Sequence, residues 1–247
     1  MWNDVFTLAY REVLILTKIK IRILGLIFNA LIWLVAMGFG LSPLLSISGV
    51  SYFAFLVPGM IGINLLFPSF FGASTLITDR QFGFLKEMLV APIPRTTLVL
   101  GKALGLSFYA TVSAAMVLAF SIILGFQINH WWTIPALIGI ALLASLGLTC
   151  FGLALAIKIK DTQSFQLLGN FIVFPFFLLS GAFFPLDQAP WFIRYFSYIN
   201  PITYAIDAMR QITLGIGHTP LILDLGVLFG FFIITLIVAA KLFDKSE

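Results

Sequence analysis

The sequence predicts an all-α polytopic membrane protein with six transmembrane helices, and three observations carry that prediction. The first is composition: of 247 residues, 61% are hydrophobic and 10% charged, with a mean hydropathy of +1.09, whereas an ordinary soluble domain is roughly 45–50% apolar and about 25% charged. A water-soluble enzyme is excluded, and the chain reads as one transmembrane domain over residues 1–247 with no room for a second, soluble one. The second is the series of uncharged runs, because a hydrocarbon core about 30 Å thick takes roughly 20 helical residues. The third is the placement of the 14 Lys and Arg residues.

Residues 1–22 read as a helix lying in the cytoplasmic interface, with Asp4, Thr7, Arg11, Lys18 and Arg22 at helical spacing and Trp2, Phe6, Leu8, Val13 and Leu16 mostly on other faces. The apolar run that follows is too long for a signal core and lacks an Ala-x-Ala-type cleavage site, so it is expected to stay in the mature protein. Crossings are expected over residues 23–41, 53–77, 103–126, 135–157, 163–180 and 220–240, the last with Asp224 near its outer end. Between Lys102 and Lys158 lie 55 uncharged residues, too many for one helix; Gln127 to His130, with Pro135 beyond, divide them into two. The lone Cys150 sits inside an apolar run as a packing residue.

Basic residues mark the cytoplasmic side of a membrane protein. Arg11, Lys18, Lys20, Arg22, Arg80, Lys86, Arg95, Lys102, Lys158, Lys160, Lys241 and Lys245 all fall on one side of this plan, and only Arg194 and Arg210 on the other. Both termini are therefore expected in the cytoplasm. An odd number of crossings would destroy the agreement.

The chain has no phosphate-binding loop, no His-Glu-x-x-His pair and no Ser/His/Asp set, so ATP hydrolysis within it is not expected. His130 and His218 fall in expected external loops and suggest no metal site. The crossings lack a central Asp, Glu, Lys or Arg, on which ion-coupled transporters usually rely.

Two connections carry more than a link needs. In the cytoplasmic segment 78–95, Phe84, Leu85, Met88 and Leu89 form an apolar stripe on a short helix that ends at Pro92, which presents Asp79, Arg80, Lys86, Glu87 and Arg95 to a soluble partner or simply to solvent. The external stretch 181–217 is rich in aromatics and prolines, and at membrane depth it should fold into short helices that dip back toward the bilayer. Asn200 before Pro201 suits a helix start. Asp207 and Arg210 are spaced to pair on one helix face. This stretch reads as an external gate or as an aromatic interface belt.

The segment Asp79-Arg80-x-x-Gly83-x-Leu85-x-Glu87-x-Leu89-x-x-Pro92-x-x-Arg95 resembles the type-2 ATP-binding-cassette exporter permeases, most of all the daunorubicin-resistance and nodulation-factor export branch. So does the external Ser180-Gly181-x-x-Phe184-Pro185 followed by Asn200-Pro201-x-Thr203-Tyr204-x-x-Asp207-Ala208-x-Arg210, the more specific part of the likeness. Gln81 departs from the pattern, since many members carry a second acidic residue there. The resemblance implies that Asp79, Arg80, Gly83, Leu85, Glu87, Leu89, Pro92 and Arg95 form a coupling helix on a separate ABC ATPase, present in two copies and holding the ATP and Mg; this chain would bind no cofactor. It implies an external re-entrant region built on Gly181, Phe184, Pro185, Asn200, Pro201, Thr203, Tyr204, Asp207 and Arg210. It also implies a second permease subunit, most simply a homodimer, in a prokaryotic cytoplasmic membrane.

Residues 165–196 hold nine of the 27 phenylalanines, so Phe171, Phe174 and Phe177 are expected along an apolar translocation path. Such a wall suits drugs or lipids, lipid-linked polysaccharides, or plain packing against lipid tails. Gly101-x-x-x-Gly105 and Gly226-x-x-x-Gly230 permit close helix contact. An ion-coupled transporter or channel is the rival from another class, with Asn64 between Pro58 and Pro68, and Asn170 before Pro175, as its polar points within crossings.

Overall fold

The computed structural model describes residues 2–18, 25, 28, 32–40, 46–47, 49–85, 88, 94–128 and 130–245. Its helices are α1 (Trp2–Thr17), α2 (Tyr52–Gly72), α3 (Ser74–Gln81), α4 (Arg95–Ile123), α5 (Thr133–Lys158), α6 (Thr162–Leu178), α7 (Trp191–Ile199), α8 (Pro201–Leu214) and α9 (Leu221–Lys245). A wide helical turn spans Leu34–Phe39, and a two-residue hairpin pairs β1 (Ser46–Ile47) with β2 (Val50–Ser51). The protein is mostly helical, as the composition predicts.

Among the described residues, four helices have the length and apolarity to cross a membrane: Tyr52–Gln81, which joins α2 and α3, then Arg95–Ile123, Thr133–Lys158 and Leu221–Asp244. They correspond to the second, third, fourth and sixth expected crossings. The fifth expected crossing, 163–180, is α6, a helix of 17 residues with Pro175 in its last turn. Most of the first expected crossing, 23–41, lies outside the described residues.

The helix ends follow local chemistry. Ser51 accepts the Ala54 N–H ahead of α2, Asp161 accepts the Ser164 N–H ahead of α6, and that hydrogen bonding lowers the Asp161 carboxyl below its ordinary pKa. Asn200 accepts the Ile202 N–H while Pro201 fills the first helical position, the start that the Asn-Pro pair predicts. Gly215 ends α8 with φ +70.

α2 is the centre of the bundle and touches α4, α5, α6 and α8; α9 packs on α5 along the outside. Without a hydrophobic drive between helices in lipid, contact relies on small residues and internal hydrogen bonds. Ser107 Oγ donates to Thr149 Oγ1 at 3.2 Å between α4 and α5, and Thr235 Oγ1 donates to the Gly147 carbonyl at 3.2 Å between α9 and α5.

Gly101 and Gly105 form the notch in α4 that receives α1. A Cβ on Gly101 would lie 2.6 Å from Leu8 Cβ, and one on Gly105 would lie 2.6 Å from both the Ala9 carbonyl oxygen and Glu12 Cβ. Gly226 and Gly230 face open space instead. Gly105→Val is therefore expected to push α1 off the bundle and to cost about 1–3 kcal/mol. A lower melting temperature together with faster proteolysis within residues 2–17 is the result that checks it.

Candidate functional site

Where α1, α3 and α4 meet, four charged side chains close on one another. Lys102, in the second turn of α4, is 1% exposed; its Nζ lies 2.6 Å from Glu12 Oε1 and 2.5 Å from Asp79 Oδ2. Arg11 grips Asp79 with both terminal nitrogens, at 2.9 and 3.3 Å, and reaches Glu12 Oε1 at 3.1 Å. The hydrogen bond to Asp79 raises the Arg11 guanidinium above its ordinary pKa against the lowering effect of burial. Two cations and two anions thus neutralise each other, with Lys102, Glu12 and Asp79 nearly inaccessible and Arg11 partly exposed at the edge, the pairing under which buried charge is tolerated. One oxygen stays over: Glu12 Oε2 has no hydrogen-bond partner among the described residues.

This arrangement corrects the expectation that Asp79 faces the cytoplasm. It is 6% exposed and ties α3 to α1 and α4. Arg80 is half-buried and donates to the carbonyls of Ile157 and Ile159 at the end of α5. Past them the chain turns at Gly83, whose φ of +83 favours a residue without a Cβ. Phe82 and Phe84 are exposed, Leu85 is buried, and Met88 packs against the core. The Arg11 guanidinium sits 5.8 Å over the Phe84 ring, joining α1 to the segment. Arg95 opens α4. Glu87, Leu89 and Pro92 lie outside the described residues.

On the opposite end, the stretch after α6 folds back over the bundle. Gly181 turns with φ +72, Phe184 and Pro185 are half-buried, and the Phe183 carbonyl accepts the Tyr52 hydroxyl at 3.2 Å. Asn200 Nδ2 donates to the Phe176 carbonyl at 2.7 Å and so fastens the start of α8 to α6. Thr203 is buried, and the Tyr204 hydroxyl donates to the Tyr198 carbonyl at 2.7 Å. Burial, followed by the charge of Asp224, raises the Tyr204 pKa.

Asp207 and Arg210 do not pair with each other; each takes its own set of partners. Arg210 is fully enclosed, with Nη2 on the Ala182 carbonyl at 2.9 Å, Nε on the Phe55 carbonyl at 3.4 Å and its guanidinium 3.7 Å over the Phe55 ring. Burial lowers its pKa to about 9, with the Asp207 charge acting in the other direction. Asp207 accepts the backbone N–H groups of His218 and Thr219, the Thr219 hydroxyl and the Gln211 amide. Gln211 and Thr219 bond Asp224 in turn, and His218 Nδ1 meets Asp187 at 3.1 Å. These bonds seal the turn between α8 and α9.

Between the two ends, Trp33, Ile63, Asn64, Phe67, Pro68, Phe174 and Phe177 line a cavity of about 490 Å³. Phe67, Phe174 and Phe177 form a triangle of rings with centroids 5.8–6.3 Å apart. Among the described lining residues Asn64 supplies the one side-chain amide, and its Nδ2 donates to the Met60 carbonyl. Phe171, one turn away, is exposed on the outer face of α6.

Residues 3–214 match the family model described as ABC-2 type transporter. The chain belongs to the ABC-2 type transporter family. Among its relatives, the putative transport permease ycf38 of Cyanophora paradoxa is 27% identical over 84% of this chain and 73% of its own length. The inner membrane transport permease YadH of Escherichia coli K12 is 28% identical over 81% of this chain and 77% of its own length. Nodulation protein J of Rhizobium leguminosarum bv. viciae is 25% identical over 90% and 86%.

This ABC-2 permease is thus a multi-pass membrane protein, and membership implies an ABC ATPase as its partner. Its buried charge cluster includes Glu12 and Lys102, which sequence reading passed over. Lys102 looks like one more cytoplasmic flank, and Glu12 lies off the polar stripe of α1. The available signal was a lone lysine between apolar residues, directly after the glycine that opens the α4 notch. Gln211 and Thr219 gave no signal at all.

Proposed function

We propose that this chain is the permease subunit of an ATP-driven exporter that moves a hydrophobic or amphipathic compound outward from the cytoplasm or the inner leaflet. The observation that carries the substrate class is the aromatic cavity bounded by Phe67, Phe174 and Phe177, with Asn64 as the one amide among its described lining residues. Such a wall suits an apolar body with a minor polar group. The family match supports ATP-driven transport, and a sequence without a phosphate loop is consistent with hydrolysis on a separate ATPase.

In this reading the ATPase, in two copies, docks on the segment from Gly83 to Arg95, including Glu87, Leu89 and Pro92. A second copy of the permease completes the path, six crossings leave both termini in the cytoplasm, and the stretch from Gly181 to Arg210 caps the exit. The excess of basic residues on one side supports that orientation.

The test is reconstitution in liposomes with lipophilic fluorescent dyes and a short-chain fluorescent phospholipid. Efflux is expected only when the ATPase and ATP are both present. Movement by the permease alone, driven by a proton or sodium gradient, would hand the case to an ion-coupled transporter, and movement of lipid-linked polysaccharide alone would replace the substrate class.

A further inference from the structure

Asp79, Arg80 and Gln81 are consecutive, yet they fasten different parts of the bundle. Asp79 binds α1 and α4 through Arg11 and Lys102. Arg80 Nη2 donates to the Ile157 carbonyl at 2.9 Å and Nη1 to the Ile159 carbonyl at 3.1 Å, while Gln81 Nε2 meets the Lys160 carbonyl at 3.4 Å. The last carbonyls of a helix have no partner within it and carry the negative end of its dipole, so a planar guanidinium fork fits them well.

The link from α5 to α6 is only residues 159–161, and Asp161 is already committed to capping α6 through the Ser164 N–H at 2.7 Å. A link this short, held at both ends, has few ways to bend. Arg80 therefore sets the direction in which α6 leaves α5. The root of α6 bears on α2 as well, with Phe165 stacked on Phe70 at 5.4 Å and 11°. Further along the same helix stand Phe174 and Phe177, which wall the cavity.

We infer that Arg80 is a positioning residue that carries displacement of the cytoplasmic segment to α6 and the cavity wall, rather than a contact for the ATPase. The inference rests on the reading that this segment docks the ATPase. Movement of the segment shifts Arg80, the carbonyls of Ile157 and Ile159 follow its fork, and the elbow turns α6.

The experiment places an environment-sensitive fluorophore on a cysteine at Gln163, an exposed position on the first turn of α6, in a Cys150→Ser background. The complex with the ATPase is purified and the signal is followed on adding ATP. The parent should retain the ATPase and respond. Arg80→Gln should retain the ATPase at the parent level, with a response reduced at least about fivefold, the lower end of ordinary coupling between sites. Arg80→Lys keeps the charge but offers one nitrogen to two carbonyls, and should fall between. Should Arg80→Gln fail to fold, the lysine variant decides: a reduced response supports the inference and a full one overturns it.

Loss of the ATPase from Arg80→Gln would make Arg80 a docking contact and overturn the inference, as would a full response with the ATPase retained. A parent that retains the ATPase but gives no response overturns the inference alone. A parent that fails to retain the ATPase overturns the docking reading, and the inference with it.

Discussion

Lys102→Met is expected to destabilise the permease by about 3–5 kcal/mol, because removing one partner of a buried ion pair strands the charge it neutralised. Lys102 is the cation that Glu12 and Asp79 share, and all three are nearly inaccessible to solvent. Methionine fills a similar space, so the loss is electrostatic rather than a matter of volume. Arg11 remains beside Asp79 but cannot neutralise both carboxylates. Adding Glu12→Leu removes the stranded anion and leaves the two-pronged Arg11–Asp79 pair intact, so the double variant should recover most of the stability. The measurement is the melting temperature of the detergent-solubilised protein for wild type, both single variants and the double. An unchanged melting temperature in Lys102→Met would show that the cluster does not hold α1 to α4.

Asp207→Ala is the second large effect. Hydrogen bonds to an ionised group contribute about 1.5–3 kcal/mol each, and Asp207 accepts from two backbone amides, a hydroxyl and a side-chain amide. Alanine leaves the N–H groups of His218 and Thr219 without their acceptor, so the turn between α8 and α9 should open at a cost of about 3 kcal/mol or more. Hydrogen exchange at those two amides reads the change directly. Asp207→Asn keeps one acceptor oxygen and should restore part of the protection. Wild-type exchange in the alanine variant would mean that the turn is held by other contacts.

What was legible in the sequence is what one element encodes by itself. The Asn200-Pro201 start of α8 depends on neighbouring residues and appears where it is expected. Four of the six expected apolar runs likewise reappear as membrane-length helices among the described residues. Charge partners were not legible in this way. Asp207 and Arg210 share a helix at a spacing that allows pairing, but Arg210 is drawn to carbonyls of the stretch after α6 and of α2, while Asp207 is drawn to the turn ahead of α9. Asp79 reads as solvated because it adjoins a polar segment; its partners lie 23 residues ahead and 68 residues behind. Periodicity reports which face a residue occupies, and it is silent on which distant element will cover that face.

The separation of 90 residues between Glu12 and Lys102 also orders events during synthesis. At about 5–20 residues per second, α1 waits roughly 5–18 s after emerging from the ribosome before Lys102, the buried cation of the cluster, exists. Burying the Glu12 carboxylate beside Arg11 but without Lys102 is costly, which favours keeping it in water through that interval. The notch at Gly101 and Gly105 arrives on the same helix as Lys102, so the docking surface and the neutralising charge become available together. α1 therefore seats only after the Arg95–Ile123 helix has been made, while α5 to α9 are still to follow.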